Sequence, residues 1–428
     1  MSDTALPPSA SEAAQSLGPT RTPTFEARLA RRYRQERNFR RIGLGAVVFS
    51  VAVLVFLLGN MLLNGIAGFQ RTEIEVTIDF PASGLAGDAT SLTAPSAVQT
   101  LEMQGLPKLV TIFAEEQVGK DAAAQIAPEA WRDVAAALAE DPSLITRSET
   151  FSLPTTSAFA AALSGEGEPG LQALAAKLSD EGKLSRNFDR GFLTRSDATS
   201  PQSVGIWGAL KGSMLTMLVT LVLAFPIGVL SALYLEEYAP RGRWTDIIEV
   251  SISNLAAVPS IIFGLLGLSL FLAAFPNLRS APLIGGMTLA LMTMPVIVIS
   301  GRNAIKAVPP SIRDGALAIG ASPVQVVFHH VLPLALPGML TGTIIGMARA
   351  LGETAPLLLI GMRIFVATPP EDFASPATVL PMQIFLWSDE IDRGFVERTS
   401  AAIIVLLVFL LAMNGLAIYL RNKFEKRW

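Results

Sequence analysis

Two residues of opposite charge, Arg349 and Glu353, lie within a long apolar run. A charged side chain at the centre of a membrane span costs about 2.5 to 3.5 kcal/mol on insertion scales, so such residues usually face a cavity or a partner. At positions i and i+4 of a helix the two groups share a face and can form an ion pair. A guanidinium also binds oxyanions bidentately, and the hydroxyl of Thr354 adds a donor. Two readings stay open: a permanent ion pair, or a transient site where an arriving anion competes with Glu353 for Arg349.

Two short predicted helices, which we call the elbow, precede this run. The prolines at 309–310 end any earlier helix, and Ser311 with Asp314 three residues later predicts a capped start. Gly320 predicts the end of that helix. Ser322, followed by proline, predicts a second start. The small side chains of the first helix leave room for another protein's surface to approach the backbone.

The whole chain has the composition of a membrane protein. Of its 428 residues, 51% are hydrophobic and 16% are charged, against about 25% charged in soluble proteins, and the formal net charge is −3. Mean hydropathy is +0.47. The absence of cysteine excludes disulfides and thiolate metal sites. The adjacent histidines, His329 and His330, point about 100° apart on a helix, so we predict no metal site and no bound cofactor.

Six apolar runs are long enough to cross a bilayer core about 30 Å thick. They are residues 42–63, 210–235, 253–275, 283–299, 334–360 and 401–420. An arginine-rich cluster precedes the first run. When the six runs are threaded through the membrane, the other basic residues fall on the same side as this cluster. The positive-inside rule therefore predicts that both termini are cytoplasmic. The cluster attracts membrane lipid, which explains it better than nucleic-acid binding does. Residues 1–41 are predicted to be a disordered and basic cytoplasmic tail.

Residues 69–200 are polar and acidic, and the topology places them outside the membrane. Alternation from Thr72 to Phe80 predicts a strand, whereas 128–139 and 171–178 read as helices. We therefore predict a small mixed α/β periplasmic domain inserted after the first membrane helix. Its residues show no metal-ligand spacing and indicate no specific function.

The elbow resembles the cytoplasmic coupling loop of importer-type ABC permeases, whose signature is Glu-Ala-Ala, three residues, Gly, nine residues, an apolar position, any residue and Leu-Pro. Asp314-Gly315-Ala316 stands in place of Glu-Ala-Ala, Gly320 and Leu332-Pro333 match, and His330 takes the usually apolar position. The segments Thr341-Gly342 and Arg349 to Leu358 narrow the resemblance to the family of phosphate-transport permease subunits, PstA. It covers residues from about Trp207 to the C-terminus.

This resemblance implies an all-α polytopic protein with six transmembrane helices of the type I ABC importer permease fold. It implies that residues 207–428 form the permease domain, with five of these helices and a cytoplasmic coupling loop at 302–333. It also implies a non-enzymatic subunit of the inner membrane that works with a homologous permease, two ATP-binding subunits and a periplasmic phosphate-binding protein. ATP and Mg belong to the ATPase partner, since this chain has no Gly-x-x-x-x-Gly-Lys-Ser/Thr loop. The residues assigned to ATPase coupling are Arg313, Asp314, Gly315, Ala316 and Gly320, and those assigned to the substrate pathway are Arg349, Glu353 and Thr354.

The sequence supports other classes of function less well. The elbow is shared across importers, so a permease for sulfate or molybdate is the main alternative. A signalling receptor would use the external domain as a sensor but would not need the elbow. A membrane-embedded enzyme would need acid/base or metal residues that converge within the spans, and the sequence shows none besides the one Arg/Glu pair.

Overall fold

The computed structural model describes residues 23–85, 92, 97–362 and 365–424. The first helix, α1, runs over Pro23–Ala67. The predicted disorder is therefore wrong for residues 23–41, which form the start of this helix; residues 1–22 lie outside the described part. The chain divides into compact units at Met61/Leu62, and every described residue from Leu62 onward belongs to the second unit.

The segment after α1 is a mixed α/β domain, as predicted. Its strands are β1 Gln70–Asp79, β2 Ser148–Pro154 and β3 Leu184–Phe188, in the antiparallel order β2-β1-β3. Its helices are α2 Phe80–Ser83, α3 Ala97–Met103, α4 Leu106–Val118, α5 Lys120–Ala123, α6 Trp131–Glu140, α7 Ser157–Leu163, α8 Pro169–Asp180 and α9 Arg190–Thr194, with a 3₁₀ turn at Pro142–Thr146. The alternation of β1 buries Ile74, Val76 and Ile78 completely against the helices.

The remaining elements form the membrane region. They are α10 Trp207–Leu233 with a π-helical turn Tyr234–Tyr238, α11 Arg243–Ala256, α12 Ser260–Leu266, a π-helical turn Gly267–Phe271, α13 Leu272–Ala274, a 3₁₀ turn Pro276–Leu278, α14 Pro282–Lys306, α15 Pro310–Ala318, α16 Pro323–Gln325, a π-helical turn Val326–Val331, α17 Leu332–Gly352, α18 Ala355–Leu359, α19 Leu380–Ser388 and α20 Gly394–Phe424.

Within the described residues, five continuous helical stretches are long and apolar enough to cross a membrane. They are Arg31–Ala67, Trp207–Tyr238, Pro282–Lys306, Pro323–Gly352 and Gly394–Lys423. A sixth span requires the pair Arg243–Ala256 and Ser260–Ala274, which is bent by 105°. The continuous run predicted at 253–275 is wrong, because Pro259 has no backbone N–H and adopts an extended ψ of 137°, which breaks the helix.

Small residues bring the membrane helices close together around α14. A β-carbon on Gly228 of α10 would lie 2.7 Å from Ile297, and one on Gly346 of α17 would lie 2.8 Å from Thr293. Ser300 of α14 occupies the space where Gly342 of α17 would carry its β-carbon. Such small-residue contacts let helix backbones approach in a membrane, where the hydrophobic effect does not drive helices together.

The span predicted at 334–360 ends eight residues early. Helix α17 stops at Gly352, Glu353 is extended with ψ 120°, and α18 begins a new direction at Ala355. Pro356 cannot donate a hydrogen bond to the carbonyl of Gly352, which favours a break here, although α17 itself continues through Pro337. Arg349 therefore lies in the last turn of α17 and not near the middle of its span.

Candidate functional site

The elbow has the two-helix form that the sequence predicts, with one correction. Helix α15 ends just before Gly320, whose φ of +90° reverses the chain. Ser322 and Gln325 then form a reciprocal capping box. The predicted cap at Ser311 is wrong: Pro309 is the N-cap residue, and Ser311 lies inside the helix, because the proline at position 310 takes the first helical position.

The predicted coupling residues are not equivalent in the structure. Asp314, Gly315 and Gly320 are exposed, and added β-carbons at both glycines would meet nothing within 4 Å. Ala316 is only 5% exposed and packs into the core formed with α10, α14 and α17, so it does not offer contact to another protein. Ile319, which the sequence analysis did not assign, is 82% exposed. The open surface of the elbow is therefore Gly315, Gly320 and the exposed apolar side chain beside them.

Arg313 holds the elbow to the rest of the chain. Its Nε and Nη2 donate to Glu237 Oε1 at 3.2 and 2.7 Å, and Nη1 donates to the carbonyl of Val308 at 2.7 Å. Nη2 also lies 3.1 Å from the carbonyl of Ile305, which belongs to the end of α14. The guanidinium thus connects α15 to the end of α10 and to the end of α14, and its role is to position the elbow.

A second charged group fixes the same end of the bundle. Arg302 Nη1 lies 2.9 Å from Glu249 of α11, and Arg302 Nε lies 3.3 Å from Glu236. Lys306 Nζ lies 3.7 Å from Glu236. Together with the Arg313–Glu237 pair, these contacts join α10, α11, α14 and α15. A shift of the elbow would therefore displace the ends of α10, α11 and α14 in the membrane region.

The pair Arg349 and Glu353 is present, although Glu353 is no longer helical. Arg349 Nε lies 3.5 Å from Glu353 Oε1, longer than the roughly 2.7 to 2.9 Å of a charge-assisted hydrogen bond. The Arg349 side chain is 47% exposed and that of Glu353 is 22% exposed. Thr354 follows directly and is half-buried. The arrangement leaves N–H donors of the Arg349 guanidinium available to bind an anion. The Glu353 carboxylate can compensate the positive charge of Arg349 when no anion is bound.

The opposite face of the same turn is packed. Met347, Ala350 and Leu351 belong to an apolar cluster that includes Phe263 of α12 and Leu357 of α18. This packing fixes the helix end from which Arg349 projects. The geometry of the Arg349 site is thus set by the break at Glu353 and the short helix α18.

A buried ion pair that the sequence analysis missed connects the inserted domain to the last membrane helix. Arg398 Nη2 of α20 donates to Asp189 Oδ2 at 2.8 Å, and the two side chains are only 6% and 2% exposed. Arg398 also donates to the carbonyls of Gly68 and Pro201 and stacks over Phe192 at 5.1 Å. Sequence offered no signal for this pair, because Arg398 precedes the last apolar run at the end opposite the basic cluster of the C-terminus.

A half-buried carboxyl, that of Asp197, lies in the segment before α10. Asp197 accepts a hydrogen bond from Trp387 Nε1 at 3.1 Å, and its own backbone N–H donates to Val366. Burial raises the pKa of Asp197 above its ordinary value, while the hydrogen bond from Trp387 acts in the opposite direction. These contacts join the segment before α10 to α19.

Comparisons with known proteins match the N-terminal and C-terminal parts of the chain to two different families. Residues 26–173 match a domain of unknown function, DUF3333, and residues 224–427 match the binding-protein-dependent transport system inner membrane component. The phosphate transport system permease protein PstA 1 of Mycobacterium tuberculosis (strain H37Rv) is 30% identical over 218 residues, covering 51% of this chain and 70% of that protein. PstA of Haemophilus influenzae is 32% identical over 224 residues, covering 52% and 78%.

One more relative and one solved structure each match about half of the chain. The probable ABC transporter permease protein YqgI of Bacillus subtilis is 30% identical over 251 residues, covering 54% of this chain and 84% of that protein. An inward-facing structure of the MetNI methionine ABC transporter aligns with a TM-score of 0.42 and 16% identity, covering 52% of this chain and 98% of that one.

Proposed function

The chain belongs to the binding-protein-dependent transport inner-membrane component family, in its phosphate-permease branch, and from that membership we propose that it is the membrane-spanning permease subunit of an ATP-driven importer of inorganic phosphate. It is a multi-pass component of the inner membrane with the type I importer permease fold and an additional domain after the first helix. ATP is hydrolysed by a separate subunit.

The observation that carries the coupling role is the open surface of the elbow. The exposed Gly315, Gly320 and Ile319 lie between two membrane helices, α14 and α17, and Arg313 holds them in place. An ATPase subunit docking there would push on the ends of both helices. We assign the contact to these residues, with Asp314 at its edge, and we assign Arg313 to positioning.

The substrate path is proposed to pass Arg349. Its half-exposed guanidinium offers the planar fork that binds an oxyanion bidentately, and Thr354 is near in sequence to add a hydroxyl donor. Glu353 repels anions, so the site favours brief occupancy over tight binding. Sulfate and molybdate present similar oxygens, and the preference for phosphate rests on the similarity to phosphate permeases.

The assembly is proposed to contain a homologous permease, two ATP-binding subunits and a periplasmic phosphate-binding protein. Both termini and the elbow are assigned to the cytoplasm, and the inserted domain to the outside, because this orientation puts the basic clusters inside. A reporter fused within the inserted domain should show an external location, and a cytoplasmic signal from that fusion would reverse the assigned orientation.

The function is tested by co-expressing the chain with candidate permease, ATPase and binding-protein partners. We expect them to copurify and to take up labelled phosphate into proteoliposomes only with ATP inside and binding protein outside. Sulfate and molybdate are the matched competitors. Uptake of either in preference to phosphate would replace the substrate assignment, and ATP-independent uptake would refute the importer.

A further inference from the structure

A cavity of about 530 Å³ lies where the inserted domain meets the membrane helices, and we call it the seam cavity. Its lining comes from the last turns of α1, from α7 and from the first turns of α20, and includes Leu63, Ala67, Ala160, Val396 and Ser400. All of these residues belong to the unit that begins at Leu62. The cavity thus lies at the boundary between apolar helix ends and a polar domain.

One wall of the seam cavity is apolar and open. Leu63 is 76% exposed and Val396 is 62% exposed. The two helices that carry them cross tightly, because a β-carbon on Gly68 would overlap the carbonyl oxygen of Glu397 and one on Gly65 would overlap Ile404. Exposed apolar side chains on membrane helices of this kind are normally covered by lipid, since nothing polar compensates them in water.

The other wall is charged, and part of its charge is already neutralised. Arg71 pairs with Glu73 at 2.6 Å and with Asp133 at 2.7 Å, and Arg398 pairs with Asp189. These arginines are committed to the protein.

Two further arginines of the lining keep donors available. Arg186 gives one hydrogen bond, from Nη2 to Ser164 Oγ at 2.9 Å. Arg393 Nη1 lies 3.8 Å from Glu166 Oε2, with side chains that are 85% and 69% exposed. A guanidinium has five N–H donors, so both residues can bind a phosphate group. Glu166 and the exposed Glu397 also line the cavity and balance the two charges.

We propose that the seam cavity binds a phospholipid whose headgroup carries both a phosphate and a primary ammonium. The phosphate contacts Arg186 and Arg393, the ammonium contacts Glu166 or Glu397, and the first part of an acyl chain covers Leu63 and Val396. Inorganic phosphate shares the phosphate chemistry but has no apolar part to cover these two side chains. The site lies apart from Arg349 and does not depend on the transport function proposed above.

Native mass spectrometry of the full-length protein measures this binding directly. Phosphatidylethanolamine, phosphatidylglycerol and phosphatidylcholine are titrated separately onto delipidated protein. We expect phosphatidylethanolamine to bind most tightly, and Arg186→Gln/Arg393→Gln to weaken it by about tenfold or more, because the phosphate loses two charged donors. The control Arg147→Gln/Lys177→Gln removes the same two charges from exposed sites outside the cavity and should bind like the parent.

The remaining outcomes separate the parts of the proposal. Glu166→Gln/Glu397→Gln should weaken phosphatidylethanolamine and strengthen phosphatidylglycerol, because the ammonium loses its partners and the cavity becomes net positive. Equal binding of phosphatidylglycerol and phosphatidylethanolamine by the parent would refute the ammonium contact. Displacement of lipid by millimolar inorganic phosphate would assign the site to the free anion. Unchanged lipid binding by the double arginine variant would overturn the site.

Discussion

Replacing Arg313 with glutamine should loosen the elbow without unfolding the membrane region. The change removes two hydrogen bonds to Glu237 and leaves the carbonyls of Ile305 and Val308 without their charged donor. Removing one partner of a fully buried pair costs about 3 to 5 kcal/mol, and a charged hydrogen bond contributes about 1.5 to 3 kcal/mol. Because Arg313 and Glu237 are 23% and 12% exposed, we expect about 2 to 3 kcal/mol.

That loss corresponds to an increase of about 30- to 150-fold in the population of the detached elbow, since about 1.4 kcal/mol is a factor of ten. Amide hydrogen exchange followed by mass spectrometry measures the detached population separately for each peptide. Peptides covering α15 should exchange faster by about that factor, whereas peptides from the middle of α14 should not change. ATP hydrolysis by the assembled complex should then become less dependent on substrate, because the elbow no longer transmits movement of α10 and α14.

Two variants make this test specific. Arg147→Gln removes an arginine whose pairs with Asp141 and Glu149 are about half exposed, so it should change neither exchange nor coupling. Glu237→Gln should act in the same direction as Arg313→Gln but less strongly, because it leaves the bonds from Arg313 to the carbonyls of Val308 and Ile305. The double variant should cost little more than Arg313→Gln alone, because both changes remove the Arg313–Glu237 pair. Unchanged exchange of α15 in Arg313→Gln would show that the elbow is held by packing alone.

Three other predictions concern the sites themselves. Arg349→Gln should abolish phosphate uptake at equal amounts of assembled protein, and Arg349→Lys should keep only part of it, because an ammonium lacks the planar fork. Glu353→Gln should reduce uptake less than loss of the arginine does. Normal uptake by Arg349→Gln would leave the structural ion pair as the only role. Gly315→Trp and Ile319→Asp should each lower copurification of the ATPase, measured by quantitative band intensity, and retention of the ATPase by both would move the docking surface elsewhere. Arg398→Met should lower stability by about 1.5 to 3 kcal/mol, measured as a lower Tm, because Asp189 and the carbonyls of Gly68 and Pro201 lose a charged donor while Asp189 keeps its ion pair with Arg195 at 3.0 Å. An unchanged Tm would mean that Arg195 alone satisfies the carboxylate.

The elbow was predictable because its information is local. Gly320 and the Ser322 cap act through their own backbone and that of residues within one turn, so residue type and spacing predict them. Most membrane helices were predictable as apolar runs for a similar reason, but the breaks at Pro259 and Glu353 were not. Ser311 shows the limit, because its spacing to Asp314 fits a capping pattern, whereas Pro310 takes the first helical position and makes Pro309 the N-cap.

Features that depend on distant parts of the chain could not be read this way. Arg313 meets Glu237 across 76 residues, and Arg398 meets Asp189 across 209. Sequence alone assigned Arg313 to ATPase coupling and gave Arg398 no role, so nothing pointed to either partner. The burial of Ala316 is of the same kind, because it depends on which face of α15 turns toward the core formed by α10 and α14.

The early end of α17 changes the balance between the two readings of Arg349. A permanent ion pair was attractive because a charge in the middle of a span must be compensated. In the structure Arg349 lies in the last helical turn with 47% of its side chain exposed, and Glu353 approaches only to 3.5 Å. Solvent can therefore compensate the guanidinium without the carboxylate, and the pair is not needed to keep the helix in the membrane. A weak pair at an open helix end is easily displaced by an anion that binds two donors at once, so the geometry favours the transient anion site over the structural pair.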